Sequence, residues 1–166
     1  FYRAFVLNHI LGGGGFTSRL YTEIREKRGL AYSIGSYLYP KSHAGLIKGY
    51  GGTANDRVNE TLEVLKKEWR LMANNGVDAK TLSDAKTYLI GSYPLRFTSS
   101  ENVAAILVSM QLQDLGIDFL NQRNSIISSI KLKNLNATAK DLLDPDKLFI
   151  VVVGTPKGVI STPSGS

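Results

Sequence analysis

The order of apolar patterns along the chain predicts an α+β fold, an antiparallel sheet covered on one face by helices. Three observations predict it. Apolar residues recur at three-four spacing in several separate stretches, the pattern of amphipathic helices. Two stretches rich in Tyr, Ile and Gly, Ala31 to Tyr39 and Gly45 to Tyr50, read as the strands of a hairpin around a turn at Pro40 to Ala44. A last apolar run, Leu148 to Val153, is too short for a helix and reads as a central strand. The resulting order of helix, helix, strand, strand, several helices and strand lacks the strict alternation of a doubly wound sheet.

Taken in order, Phe1 to Leu11 reads as the tail of a helix, with Phe5, Val6, His9 and Ile10 at helical spacing and Gly12 as its stop. No capping residue precedes it, so the domain is expected to begin upstream of Phe1. After Gly12 to Gly15, Thr17 or Ser18 is expected to cap a second helix that buries Leu20 and Ile24 and ends at Gly29. In the first strand, Tyr32, Ile34 and Leu38 are expected on one face, with Tyr37 and Tyr39 on the other. Thr53 and Asp56 have the spacing of a capping box, and Val58, Leu62, Leu65, Trp69 and Met72 continue as a core-facing stripe until Asn74-Asn75-Gly76.

A further helix starts at Asp78 and runs through Leu82, Ala85 and Leu89 towards Tyr93, where Pro94 interrupts it. Thr98-Ser99-Ser100 supplies caps for another, buried through Val103, Ile106, Leu107 and Met110. Shorter helices are expected over Asp118 to Ile130 and Asn136 to Leu143. Residues 1–158 read as one domain, and 159–166, rich in Ser, Pro and Gly, as a flexible tail.

Composition narrows the function classes. At 166 residues, 43% hydrophobic and 20% charged, the chain has the size and balance of one soluble globular domain. No stretch approaches the run of about 20 apolar residues that spans a bilayer. The net charge of +6 does not imply nucleic acid, because Lys and Arg are scattered among Asp and Glu; Arg25, Lys27 and Arg28 are offset by Glu23 and Glu26. With no cysteine there is neither a disulfide nor a thiolate metal site, and the compartment stays open.

The glycine run Gly12, Gly13, Gly14, Gly15 invites a phosphate-cradle reading, yet it follows a helix rather than a strand and lacks the Lys-Ser or Lys-Thr of a Walker loop. Its plainer role is to let two helices meet at a sharp angle, or to let another chain approach the backbone. The two histidines, His9 and His43, have no carboxylate or second histidine three or four residues away, so no metal is expected to bind this chain. His9 is expected to be packed, and His43 to sit in a turn. There is no Gly-x-Ser-x-Gly elbow and no spacing that nominates a Ser-His-Asp triad.

One constellation stands above background: Leu11-Gly12-Gly13-Gly14-Gly15-Phe16-Thr17-Ser18-Arg19-Leu20-Tyr21, continuing through Glu23-Ile24-Arg25-Glu26-Lys27-Arg28-Gly29-Leu30-Ala31-Tyr32-Ser33. It closely resembles the second, non-zinc domain of the pitrilysin and mitochondrial-processing-peptidase family. The resemblance continues through Gly51-Gly52-Thr53, Asn75-Gly76-Val77, Ala85-Lys86, Ser99-Ser100 and Leu143-Asp144-Pro145-Asp146, and so covers the chain to about residue 158.

The resemblance implies the α/β roll of that family and a parent built of paired halves, dimeric overall, that enclose unfolded peptides for cleavage. The zinc would lie in an upstream domain or a partner subunit, because the inverted His-x-x-Glu-His motif of the family is not in this chain. It also implies that Arg25 and Tyr32, seven residues apart, hold substrate. Arg25 offers a planar fork of donors and Tyr32 a phenolic hydroxyl, both suited to peptide carbonyls or to a developing oxyanion. The plainer alternative pairs Arg25 with a nearby carboxylate and places Tyr32 in the core. Three parents remain open: a zinc endopeptidase of which this is the back half, a motif-less partner subunit that supplies Arg25 and Tyr32, and a purely structural relative such as the respiratory-complex core subunits.

Overall fold

Tyr2–Asn8 forms α1, which runs on as a π-helical turn over His9–Gly13. In this computed structural model, residues 1–41 and 44–160 are described, so His43 and residues 161–166 of the expected tail lie outside the described residues. Helix α1 and its π-helical turn bring Val6, Leu7 and Leu11 into the core. Gly12 does not stop the helix, as its spacing predicts; the wider turn carries the backbone past it and lays it against the sheet. A Cβ on Gly12 would sit 2.5 Å from Ser36 Oγ and 2.8 Å from Ser36 N, so the position requires glycine. Gly12→Ala is expected to cost about 1–3 kcal/mol through overpacking, read from urea unfolding.

A single 3-10 turn, Gly15–Thr17, leads to a π-helical segment, Tyr21–Glu26. Neither hydroxyl expected to cap it does so: Thr17 Oγ1 donates to Gly14 O and Ser18 Oγ to Gly15 O, which tightens the preceding turn instead. Leu20 and Ile24 are buried, as their spacing predicts.

Strands β1 (Ala31–Pro40) and β2 (Gly45–Thr53) pair antiparallel as the expected hairpin, the only sheet among the described residues. The face that carries Ile34 and Ser36 is covered by α1 and the two π-helical segments. There Ser36 Oγ donates to Asn8 Oδ1 at 2.8 Å, and Asn8 Nδ2 donates to Ser36 O at 3.3 Å, a buried polar pair that fixes α1 on the sheet.

Helix α2 (Val58–Asn75) follows most of the predicted stripe: Val58, Trp69 and Met72 are buried and Leu65 packs against the core, while Leu62 is half-buried outside that cluster. Its predicted cap is different. Thr53 Oγ1 donates to Leu30 O at 2.6 Å, because Thr53 is still in β2 when the helix begins five residues later. Gly76, with φ of +66°, ends the helix, and the next backbone turn is clamped by Asn136, whose Oδ1 accepts from Val77 N and whose Nδ2 donates to Val77 O.

Helix α3 (Ala79–Gly91) starts as predicted, with Asp78 Oδ1 accepting the Thr81 N–H at 2.6 Å. A 3-10 segment, Tyr93–Phe97, accommodates Pro94 and leads to α4 (Ser100–Leu112), capped by Ser99 Oγ. Of its expected core positions only Met110 is buried; Val103 and Ile106 are half-buried and Leu107 is exposed, because α4 rests mainly on the 3-10 segment. Helices α5 (Phe119–Ser129) and α6 (Leu132–Leu142) close the core through Ile127, Leu135 and Ala139.

Leu148 to Val153 is not the expected central strand. It pairs with neither strand of the hairpin, and Phe149, Val151 and Val153 face solvent while Leu148, Ile150 and Val152 are half-buried. Downstream, Asn55 holds the segment through Thr155 and through the Lys157 N–H. No helix among the described residues is long and apolar enough to cross a membrane.

Candidate functional site

Arg25 and Tyr32 stand on either side of a tight turn, and the turn is held from several directions. Gly29, at φ of +60°, lets the chain reverse, with its N–H donating to Arg25 O and the Leu30 N–H donating to Ile24 O, both at 2.9 Å. Arg57 Nη1 reaches Gly29 O at 2.7 Å, and Thr53 Oγ1 holds Leu30 O. Behind the helical segment, Arg19 Nε donates to the buried carboxylate of Glu68 at 2.7 Å and ties the segment to α2. Arg57 and Glu68 were not nominated by sequence, and Thr53 only as a helix cap; all three come from the distant β2–α2 region, and local patterning carries no signal of contacts that form only on folding.

A register shift between Ala31 and Ser33 then decides where Tyr32 points. Ala31 faces Thr53 and Ser33 faces Gly52, so Tyr32 is the extra residue of a β-bulge. The bulge breaks the period-two alternation that would put Tyr32 beside Ile34 and Leu38. Ile34 is buried, whereas Tyr32 is 85% exposed. Tyr32 is therefore no core residue, and the plainer alternative for it falls.

The bulge brings Tyr32 to Arg25. The Arg25 guanidinium lies 5.6 Å from the Tyr32 ring centroid and 4.8 Å from that of Tyr21, within cation–π range of both. Phe16, also exposed, meets Tyr21 edge to face at 5.0 Å. Of the two acids nearest in sequence, Glu23 is already committed to Lys27 and Arg28, whose hydrogen bonds hold its carboxyl below the usual range, and the adjacent Glu26 forms no ion pair among the described residues. Among the described residues Arg25 has no ion pair. Its guanidinium donors and the Tyr32 hydroxyl thus share one accessible patch, with the aromatic rings beside them.

The glycine segment borders this patch without forming a phosphate cradle. Positions 12–14 are crowded by Ser36, Asn8 and the His9 carbonyl, and only Gly15 has open space where a side chain would stand. His9 stacks on Tyr88 at 5.1 Å, and burial lowers its pKa, which favours the neutral ring. Among the described residues no three His, Asp or Glu side chains are grouped to hold a metal ion. The residues here do not fit a zinc site.

Known proteins place these observations. The peptidase M16 inactive domain matches residues 2–89, the stretch that contains the glycine segment, Arg25, Tyr32 and the hairpin. The uncharacterized zinc protease YmxG of Bacillus subtilis is 27% identical over 157 residues, 95% of this chain and 38% of that protein. The non-peptidase homolog YmxG of Helicobacter pylori is 29% identical over 149 residues, 87% of this chain and 34% of that protein. Among solved structures, a peptidase M16 inactive domain from Pseudomonas fluorescens superposes with a TM-score of 0.77 at 29% identity, covering 88% of this chain and 35% of that one. The chain spans little more than a third of the length of these relatives. With its α+β core, and with a family match over more than half its length, the chain belongs to the peptidase M16 inactive-domain family.

Proposed function

We propose that residues 1–158 are the substrate-holding second domain of a zinc peptidase, in which Arg25 and Tyr32 grip the backbone of an extended, unfolded peptide. The observation that carries this is the bulge, which turns Tyr32 outward and sets it beside an Arg25 that has no ion pair among the described residues. A planar guanidinium and a phenol on one exposed patch suit successive carbonyl oxygens, which every peptide presents whatever its sequence. The exposed ring of Phe16 and the half-buried ring of Tyr21 add apolar contact for side chains without selecting one. Zinc belongs, on this reading, to a facing domain or subunit, together with which this domain encloses the peptide.

A second reading keeps the same pair but changes the parent. The name of the Helicobacter relative, a non-peptidase homolog, favours a subunit that supplies Arg25 and Tyr32 to a zinc-bearing partner. Both readings make one prediction. Arg25→Lys keeps the charge but loses the fork, so peptide cleavage by the complete assembly is expected to fall about tenfold in kcat/KM, as for loss of one charge-assisted hydrogen bond. The melting temperature should not change, because Arg25 supports no ion pair among the described residues. Wild-type kcat/KM in that variant would remove Arg25 from substrate binding.

A further inference from the structure

Away from the Arg25–Tyr32 patch, a cavity of about 1170 Å³ opens between α1, α4 and α5, lined by aromatic and apolar side chains that include Tyr2, Phe5, Tyr93, Met110 and Phe119. Into its wall is set Arg123, only 5% exposed. Buried charges are ordinarily paired with an opposite charge, since leaving water is costly. Arg123 has no such partner among the described residues. Its Nη1 donates to Leu89 O at 3.2 Å and to Asn124 Oδ1 at 3.0 Å, and the guanidinium stacks 3.9 Å from the Tyr93 ring centroid.

These contacts leave donors over. Nε and Nη2 of Arg123 have no acceptor among the described residues, and the hydroxyls of Tyr2 and Tyr93 have no hydrogen-bond partner there either. Burial lowers the Arg123 pKa, with the two tyrosines acting weakly against it and Arg96 adding a like charge. Lys41 and Arg96 also line the cavity, against Asp114 as its one acid. None of these donors is sealed from solvent, so the wall presents open donors and is net positive, while most of its surface is apolar.

We propose that this cavity binds a ligand presenting a single carboxylate on an apolar body, the carboxylate taken by Arg123 with the Tyr2 and Tyr93 hydroxyls, and the body lying against Phe5, Met110 and Phe119. A carboxylate matches the planar fork of one guanidinium. Two sources share this chemistry, a small aromatic acid and the free carboxyl end of an apolar peptide.

Calorimetric titration of the full-length protein with 4-phenylbutanoate and with N-acetyl-Leu-Phe, each beside its neutral amide, tests the site. At least one acid is expected to bind saturably, with its amide about tenfold weaker because the charge-assisted bonds are lost. The tighter of the two acids identifies the source. Arg123→Lys should weaken binding about tenfold by removing the fork. Ile106→Trp fills the cavity from α4 without touching Arg123, and should abolish binding while the melting temperature holds. Equal affinity for acid and amide, unchanged binding in Ile106→Trp, or no binding of either acid at millimolar concentration would each overturn the proposal.

Discussion

Trp69→Ala is expected to lower the free energy of unfolding by about 3–5 kcal/mol, the range for removing a large aromatic from a core. Trp69 is 4% exposed on the inner face of α2, in one cluster with Leu82, Leu135, Ala139 and Met72, so truncation opens a void at the junction of several helices. Those neighbours are held by separate elements that cannot all shift into the space. The indole has a second property that separates packing from polarity. Its Nε1 is buried with no hydrogen-bond partner among the described residues, a burden of about 1–3 kcal/mol for an unmade bond. Trp69→Phe removes that donor while keeping a ring, and is expected to cost much less than Trp69→Ala. Urea unfolding of the two variants measures the difference; a Trp69→Phe loss as large as that of Trp69→Ala would contradict this reading, because the retained ring should keep most of the packing.

How much of this was legible in the sequence varies with the range of the interaction. Helix α2 was readable because its stripe is local and strong, and α3 because Asp78 announces its own cap. The bulge at Tyr32 was not. Whether a residue pairs or is extruded depends on the register against Gly51 and Gly52 across the hairpin, and a period-two reading of one strand assumes the register it needs to find. Thr53 failed as a cap for a similar reason: its spacing to Asp56 is local, but the carbonyl of Leu30 competes for it only in the folded hairpin.

Leu148 to Val153 shows the limit from the other side. Its continuous apolar, β-forming composition was read as a central strand, yet a strand exists only where a neighbouring edge accepts it, and neither edge of the hairpin does; its exposure alternates instead. At the site itself, Arg25 and Tyr32 were nominated through a resemblance, whereas their juxtaposition and the supports from Arg57, Thr53 and Glu68 required the structure.

Tyr32→Phe carries the largest expected effect on activity. The substitution keeps the ring, its place in the bulge and its stacking with Arg25, and deletes one hydroxyl. Because Tyr32 is 85% exposed and its hydroxyl supports nothing among the described residues, the fold should not register the change. If the hydroxyl only positions a peptide carbonyl, the loss falls mainly on KM and is about 0.5–1.5 kcal/mol, that of an ordinary hydrogen bond. If it meets the oxyanion that forms as the carbonyl is attacked, the loss falls on kcat and reaches about 2.7–4 kcal/mol, roughly a hundred- to thousandfold. The decisive measurement is the steady-state cleavage of an unstructured peptide by the complete assembly carrying Tyr32→Phe, with its melting temperature taken on the same preparation. Substrate holding by this domain predicts impaired kcat/KM at an unchanged melting temperature; wild-type kcat/KM in a fully folded variant would contradict it.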